Sequence, residues 1–459
     1  MFSLSTDRPL PGTAMRSRRE ILRIGSLGGM LGGLQMASKL QAIEKASQSG
    51  GMSGIMLFLV GAPSHIDTFD PKPDAPLEIR GPYKTISTAV SGIRVTEILP
   101  QVAKQADKFS IIRSVNFQAA AVHDTGHQLM QTGRAFSGGI EHPHIGSALN
   151  FLNPGADEIP GHVLIPRPIG KTGGNQPHGQ SGGYLGRKYD PFVLGTDPSN
   201  PNFKVPDLLP PDFLGDVRVD RRKKLREVVE DHLKLAESSM AGKQTRESFD
   251  QAFRIMSSPG TREAFDLHKE PDSIRDRYGR TRFGQSCLLA RRLVERGVRF
   301  VTVNMFETVF DEVTWDIHGS RPFTDINEMA KLVAPSFDQG YSALLEDLAQ
   351  RGLLSKTVVT AMGEFGRTPK INPAGGRDHH PGCWSILLSG GKIRPGQVVG
   401  SSDELGYTPK SRPANPQMIA ATIYKALGVN PHTELAGPQG RPMPLVDHSV
   451  EPLNELFGG

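Results

Sequence analysis

The stretch GIMLFLVGAPSHIDTFDPKPDAP, Gly54–Pro76, decides the fold. Ile55–Val60 is an unbroken apolar run, the pattern of a strand covered on both faces rather than one with a wet side. The chain then turns polar, sets His65, Asp67 and Asp70 within six positions, and runs into prolines. In open α/β sheets ligands bind beyond the carboxyl ends of the strands, so this strand ends where a site belongs. Asp67 with His65 beside it reads as ligating; Asp70, ahead of Pro71, reads as a turn residue.

Runs of the same kind recur at Phe109–Val115, His162–Ile165, Val298–Met305, Lys356–Met362 and Trp384–Leu388. All are short, rich in Val, Ile and Leu, and non-alternating, as parallel strands are. Between them lie helical patterns. PSFDQGYSALLEDLAQRG repeats apolar residues at Phe337, Tyr341, Leu344, Leu345 and Leu348 and stops at Gly352, and PQMIAATIYKALGV ends at Gly428. The expectation is an α/β fold with a mainly parallel central sheet flanked by helices. It forms a single domain over 47–459, with a loop-rich and helical insertion around 185–283. Within that insertion, Asp220–Met240 reads as a solvated helix of mixed charge.

The composition, 37% hydrophobic and 22% charged with 51 Gly and 36 Pro, fits a loop-rich globule and excludes a disordered chain. The net charge of +5 invites a nucleic-acid reading, but its distribution argues against one. Residues 1–42 hold six of the 53 basic and two of the 48 acidic side chains, which leaves a near-neutral 47 against 46. Phosphate-backbone binding needs a clustered excess that the body lacks. The tail's SRREILRIGSLGGMLGGLQMA sets Arg18 and Arg19 before a glycine-interrupted apolar run too short to span a bilayer stably. It resembles a twin-arginine export signal over 1–46, with Ala42 or Ala46 as candidate cleavage points, the twin-arginine translocase as partner and the periplasm as destination. Two cysteines make no disulfide framework. Cys287 reads as a buried inert thiol, and Cys383 lies near enough to RDHHPG to be weighed beside a metal.

Chemistry-bearing residues follow strand after strand. FETVFDEVTWDIHGS brings Asp316 and His318; GEFGRTP brings Glu364 and Arg367; GGRDHHPG brings Asp378, His379 and His380. HDTGHQLMQTGR brings His123, Asp124, His127 and Arg134. His65/Asp67 and Asp316/His318 are i, i+2 pairs, which an extended backbone directs to one side. Such a mixture of carboxylates and imidazoles suits a divalent ion (Zn, Ca, Mn or Fe). His123 and His127, at i, i+4, share a helix face with or without a ligand. Arg367 or Arg134 would neutralise an oxyanion, Arg134 having the alternative of a structural helix-end role. PIGKTGG is no P-loop, and there is no G-x-G-x-x-G after a strand, no G-x-S-x-G and no C-x-x-C.

LFLVGAPSHIDTFDPKPDAP, HDTGHQLMQTGR, RYGRTRFGQSCLLARRLVERGVRFVTV, WDIHG, GEFGRTPKINPAGGRDHHP and ATIYKALG together resemble the exported bacterial domain of unknown function 1501 family. That family is similar in fold to the alkaline phosphatase and sulfatase superfamily, whose members bind one or two metals at the strand ends. The resemblance implies that Asp67, Asp316, His318, Glu364 and His379 or His380 hold a metal. HDTGHQLMQTGR has the length and the Thr-Gly-Arg ending of the sulfatase signature C-x-P-S-R-x4-T-G-R. The sequence departs from that pattern at two places: His123 stands where the nucleophile or formylglycine precursor belongs, and Phe365 where a metal-binding histidine belongs. A formylglycine cannot come from His, so Thr125, His123 itself or a metal-activated water is left to attack. The resulting expectation is an exported metal-dependent hydrolase of phosphate or sulfate esters, with His65, His123 and His380 as ligands or acid–base groups. The substrate would be a small-molecule or polysaccharide ester. The alternative is a non-catalytic exported metal- or glycan-binding protein.

Overall fold

A computed structural model describes residues 51–205, 254–255, 258–310 and 312–458. The export-signal reading of 1–46 and the helix over Asp220–Met240 lie outside the described residues.

Ten strands matter for the site: β1 (Ser53–Phe58), β2 (Phe109–Val115), β3 (His162–Ile165), β4 (Phe192–Val193), β5 (Phe300–Asn304), β6 (Thr357–Met362), β7 (Gly366–Arg367), β8 (His379–His380), β9 (Trp384–Ser389) and β10 (Val398–Val399). Eight of them form one sheet in the order β10-β2-β9-β6-β1-β5-β3-β4. All neighbours in it are parallel except β9, which runs antiparallel to both β2 and β6. The mainly parallel α/β architecture read from the apolar runs is therefore the observed one. The central strands β1, β5 and β6 are buried at every residue, which is why their sequences do not alternate. Part of the expected insertion around 185–283 belongs to the sheet: Phe192–Val193 pairs with β3 as an edge strand.

Five helices complete the frame: α1 (His123–Thr132), α2 (Ile145–Leu152), α3 (Arg282–Glu295), α4 (Ala334–Gln350) and α5 (Pro416–Ala426). The buried residues divide into two large apolar clusters. One holds Leu57, Val301 and Val359 with α3 and α4; the other holds Met56, Phe58 and Met362 with α2 and α5. Alternate residues of β1 thus feed opposite layers, as the two-residue period of a strand requires. No helix among the described residues is long and apolar enough to cross a membrane.

The reversed strand has a consequence for the site. β1, β2, β5 and β6 point the same way, so the loops after them emerge at one edge. Because β9 runs against them, its start lies at that same edge. The β7–β8 ribbon just ahead of β9, paired His379 to Arg367 and His380 to Gly366, is thereby delivered to the strand ends. The apolar run at 384–388 reads with the others as a parallel strand, and the structure reverses it, because hydrophobicity marks burial and not direction. A parallel β9 would have carried His379 to the far side.

Candidate metal centre

Asp316 lies at the heart of the edge, on the loop after β5, with none of its surface exposed. Its Oδ1 accepts from Arg367 Nη2 at 2.5 Å and stands 3.2 Å from His318 Nε2 and 3.5 Å from His379 Nε2. Its Oδ2 is 3.3 Å from His123 Nε2. Burial alone would raise the pKa of this carboxyl, but the Arg367 guanidinium and the hydrogen bond from His123 hold it well below the usual carboxylate range.

The outer hydrogen bonds fix the histidine tautomers. His318 Nδ1 is 3.0 Å from the Asp378 carboxylate, and His379 Nδ1 is 2.8 Å from the Ala121 carbonyl. Both partners are pure acceptors, so each Nδ1 carries a hydrogen, and a ring holding only that one hydrogen presents a bare Nε2. Those two nitrogens face each other at 3.0 Å beside Asp316 Oδ1. In that tautomer three acceptor lone pairs converge on one point. Imidazoles oriented by an outer carboxylate or carbonyl are how proteins present metal ligands, and the residues fit a divalent ion. The two rings are each about a fifth exposed, which opens this point to solvent.

Glu364 follows β6 directly and is fully buried. Its Oε1 accepts from the Gly61 N–H at 2.9 Å and lies 2.6 Å from His123 Nδ1. Burial would raise its pKa; His127 and His123 instead hold it down at about 2. His123 thus spans the two carboxylates. Burial opposes charge on its ring, yet the hydrogen bonds to Asp316 and Glu364 outweigh it and raise the pKa. For His379 burial wins, with help from the Arg367 charge, and the pKa falls. Phe365 packs its ring 5.1 Å from His123 and 4.6 Å from His379, an apolar wall behind both.

Asp316, His318, Glu364, His379 and His123 are brought together; other expected site residues are placed elsewhere. Asp67 is clamped by Arg377, with Nε to Oδ2 at 2.7 Å and Nη2 to Oδ1 at 2.9 Å, which commits both of its oxygens. The i, i+2 argument fails there because 65–69 is a turn rather than extended chain. His65 points Nε2 at the Gly406 carbonyl, 2.9 Å away, and is kept neutral by burial. Asp70, read as a turn residue, also carries an ion pair with Lys72 at 3.0 Å. His380 alternates to the opposite face of β8 from His379, with Nε2 2.7 Å from the Tyr407 carbonyl.

Neither arginine is free to meet an oxyanion. Arg367 is fully buried, donating to the carbonyls of Gly61, Ala62 and Arg377 besides Asp316, so it positions that carboxylate. Arg134 binds the Pro444 and Leu445 carbonyls and Asp447, the structural alternative. Thr125 lies two residues from His123 on α1, about 200° around the helix, away from the face that carries His123. Cys287 and Cys383 are both buried and burial pushes both thiols up, Cys383 to about 12; Cys383 Sγ contacts the Arg113 carbonyl instead of the cluster.

Some contributors escaped the sequence reading. The Gly61 and Ala62 backbone serves Glu364 and Arg367. At Gly61, with φ of +101°, a Cβ would meet the Asp316 nitrogen at 2.5 Å, so only glycine lets the two loops touch. A cavity of about 390 Å³ opens beside the ribbon, lined by Phe117–Ala119 and His380–Gly382.

Residues 52–457 match the family described as Protein of unknown function (DUF1501). No curated protein matches the sequence. Among solved structures, the PsFucS1 sulfatase from Pseudoalteromonas sp. is similar with a TM-score of 0.35 and 12% identity, over 86% of this chain and 72% of that one. The lipoteichoic acid synthase LtaP from Listeria monocytogenes gives 0.36 and 9% over 83% and 72%. The phosphonate monoester hydrolase SpPMH from Silicibacter pomeroyi gives 0.30 and 10% over 88% and 76%. Likenesses this slight carry no argument about activity.

Proposed function

Because this chain belongs to the DUF1501 family, whose description carries no activity, the site must carry the function, and we propose an exported metal-dependent hydrolase of phosphate or sulfate esters. One observation carries the reading: the Nε2 atoms of His318 and His379 and the Asp316 carboxylate converge at a solvent-reachable point of the strand edge. Asp316, His318 and His379 would hold the ion, with His123 Nε2 beside them. When bound, such an ion supplies Lewis-acid polarisation of an ester oxygen and an acidified water.

The chain's own groups do the rest. Asp378 and the Ala121 carbonyl hold His318 and His379 in the ligating tautomer. Arg367 fixes Asp316, and His123 moves or holds a proton between Asp316 and Glu364. Export rests on the paired arginines of the tail.

The test is metal content of the full-length protein, with turnover of aryl phosphate, phosphonate and sulfate esters. Expected is at least one tightly held divalent ion and turnover of one ester class, with turnover and the ion at Asp316 lost in His379→Ala. Protein that takes up no ion from zinc or manganese refutes the reading. Metal without turnover, with tight binding of a sulfated glycan, replaces it by the non-catalytic alternative.

A further inference from the structure

Helix α1 turns a row of polar side chains inward. His123, His127 and Gln131 follow one another at four-residue intervals on one face, and all three are buried. Below the point described above, this face meets Glu364. His127 Nε2 lies 3.9 Å from Glu364 Oε1, and one atom from each of His123, His127 and Glu364 falls within a sphere of 4.8 Å separations.

These interior atoms lack partners. Both ring nitrogens of His127, Oε2 of Glu364 and both amide atoms of Gln131 are buried without a hydrogen bond. Buried polar groups are normally satisfied, and each one left over demands a reason. Here three lie together on His127 and Glu364, and the two of Gln131 follow one helical turn along the same face. His127 also leans on Phe58, ring centroids 5.3 Å apart, so an apolar residue would suit its surroundings better. Gly126 shows how closely the helix is pressed on this point: a Cβ there would meet the Glu364 carbonyl at 2.7 Å.

We infer that the chain holds a second, interior divalent cation, ligated by Glu364, His127 and the inner nitrogen of His123. The inference rests on the metal-hydrolase reading for its first ion but on different atoms for its second. His123 offers Nε2 to the Asp316 side and Nδ1 to the Glu364 side, so one imidazole forms the wall between two sites. Two imidazoles and one carboxylate favour an ion of the zinc class over magnesium or calcium, which prefer oxygen.

The experiment counts ions. Full-length protein is loaded with zinc, desalted and assayed for zinc per chain, alongside His127→Leu and His379→Ala. Two ions in the parent and one in His127→Leu are expected. One ion that survives His127→Leu and leaves in His379→Ala overturns the inference while sparing the hydrolase reading. One ion with the reverse dependence sustains the inference and removes the hydrolase reading's carrying observation. No ion at all overturns both. Should His127→Leu fail to fold, anomalous scattering from zinc-loaded parent crystals decides without a variant: a peak between His127 and Glu364 is required, and a water there overturns the proposal.

Discussion

Replacing Arg367 by Met tests whether this guanidinium holds the site together or serves substrate. Met keeps the length and removes the charge and the donors. Asp316 would then be a buried carboxylate facing imidazoles alone. Removing one partner of a buried ion pair costs about 3–5 kcal/mol. The carbonyls of Gly61, Ala62 and Arg377 lose a donor as well, each adding about 1 kcal/mol. The total is on the order of 6–8 kcal/mol. An unfolding entropy of about 2.1 cal/mol/K per residue gives the 459-residue chain roughly 1 kcal/mol per degree, and hence a fall of about 6–8 °C in Tm. The fall belongs to the metal-free protein. A cation beside Asp316 restores much of the lost positive charge, so with zinc it shrinks to about half by Coulomb compensation. Calorimetric scans in chelator and in zinc read both numbers. A variant that melts within 2 °C of the parent in chelator refutes the positioning role, and an equal fall in both conditions refutes the placement of a cation at Asp316.

Gly126→Ala should destabilise. A helical Gly→Ala change ordinarily gains about 1 kcal/mol, but this Cβ would press on Glu364, so a loss of about 1–3 kcal/mol and weaker zinc binding are expected from urea unfolding and zinc titration. Burial lowers the His144 pKa to about 3, below its unfolded value of 6.5. Between these values the unfolded chain alone takes up the proton, so stability is full above pH 6.5 and drains as pH falls. His144→Asn, which keeps a side-chain cap for α2, should flatten the slope of unfolding free energy between pH 6 and 4 by about 1.4 kcal/mol per unit; an unchanged slope contradicts the burial argument. Arg134→Ala should lose about 1–3 kcal/mol of stability and leave kcat unchanged, whereas a collapsed kcat would return Arg134 to the site. Chelation should lower Tm by about 4 °C relative to protein held at a thousand times its zinc Kd.

The six central strands were legible because they are buried on both faces, and the observed ends fall within about two residues of the apolar runs. The direction of β9 was not legible, since hydrophobicity marks burial and carries no orientation. The edge strands Phe192–Val193 and Val398–Val399 were too short to show a period. Of the candidate site, the residues directly after β6 and on the ribbon came through. Glu364 leaves a buried strand with little freedom, and His379 and His380 on one strand must take opposite sides. His65 and Asp67 misled because their spacing was read as extended chain, whereas the Asp70 N–H closes a turn onto the His65 carbonyl. Arg377, which claims Asp67, lies in another loop, and no local pattern announces such a pairing.

Asp67 also shows what kind of residue a strand end needs. The first loop does serve the site, through the Gly61 N–H on Glu364 and the Gly61 and Ala62 carbonyls on Arg367. Its carboxylate instead secures Arg377, whose other donors reach the carbonyls of Ile79, Thr368 and Pro369 and so tie the loop after β1 to the ribbon that carries His379. Glu364 and Asp316 remain as the carboxylates at the cluster, each balanced by different means: Asp316 by a fixed guanidinium, Glu364 by a backbone N–H and imidazoles. A third carboxylate there would have no cation of its own in the metal-free chain, and buried charges without partners are costly. Placing Asp67 on Arg377 lets the fold close before any ion arrives, and leaves at the edge only as much negative charge as Arg367 and the histidines can hold.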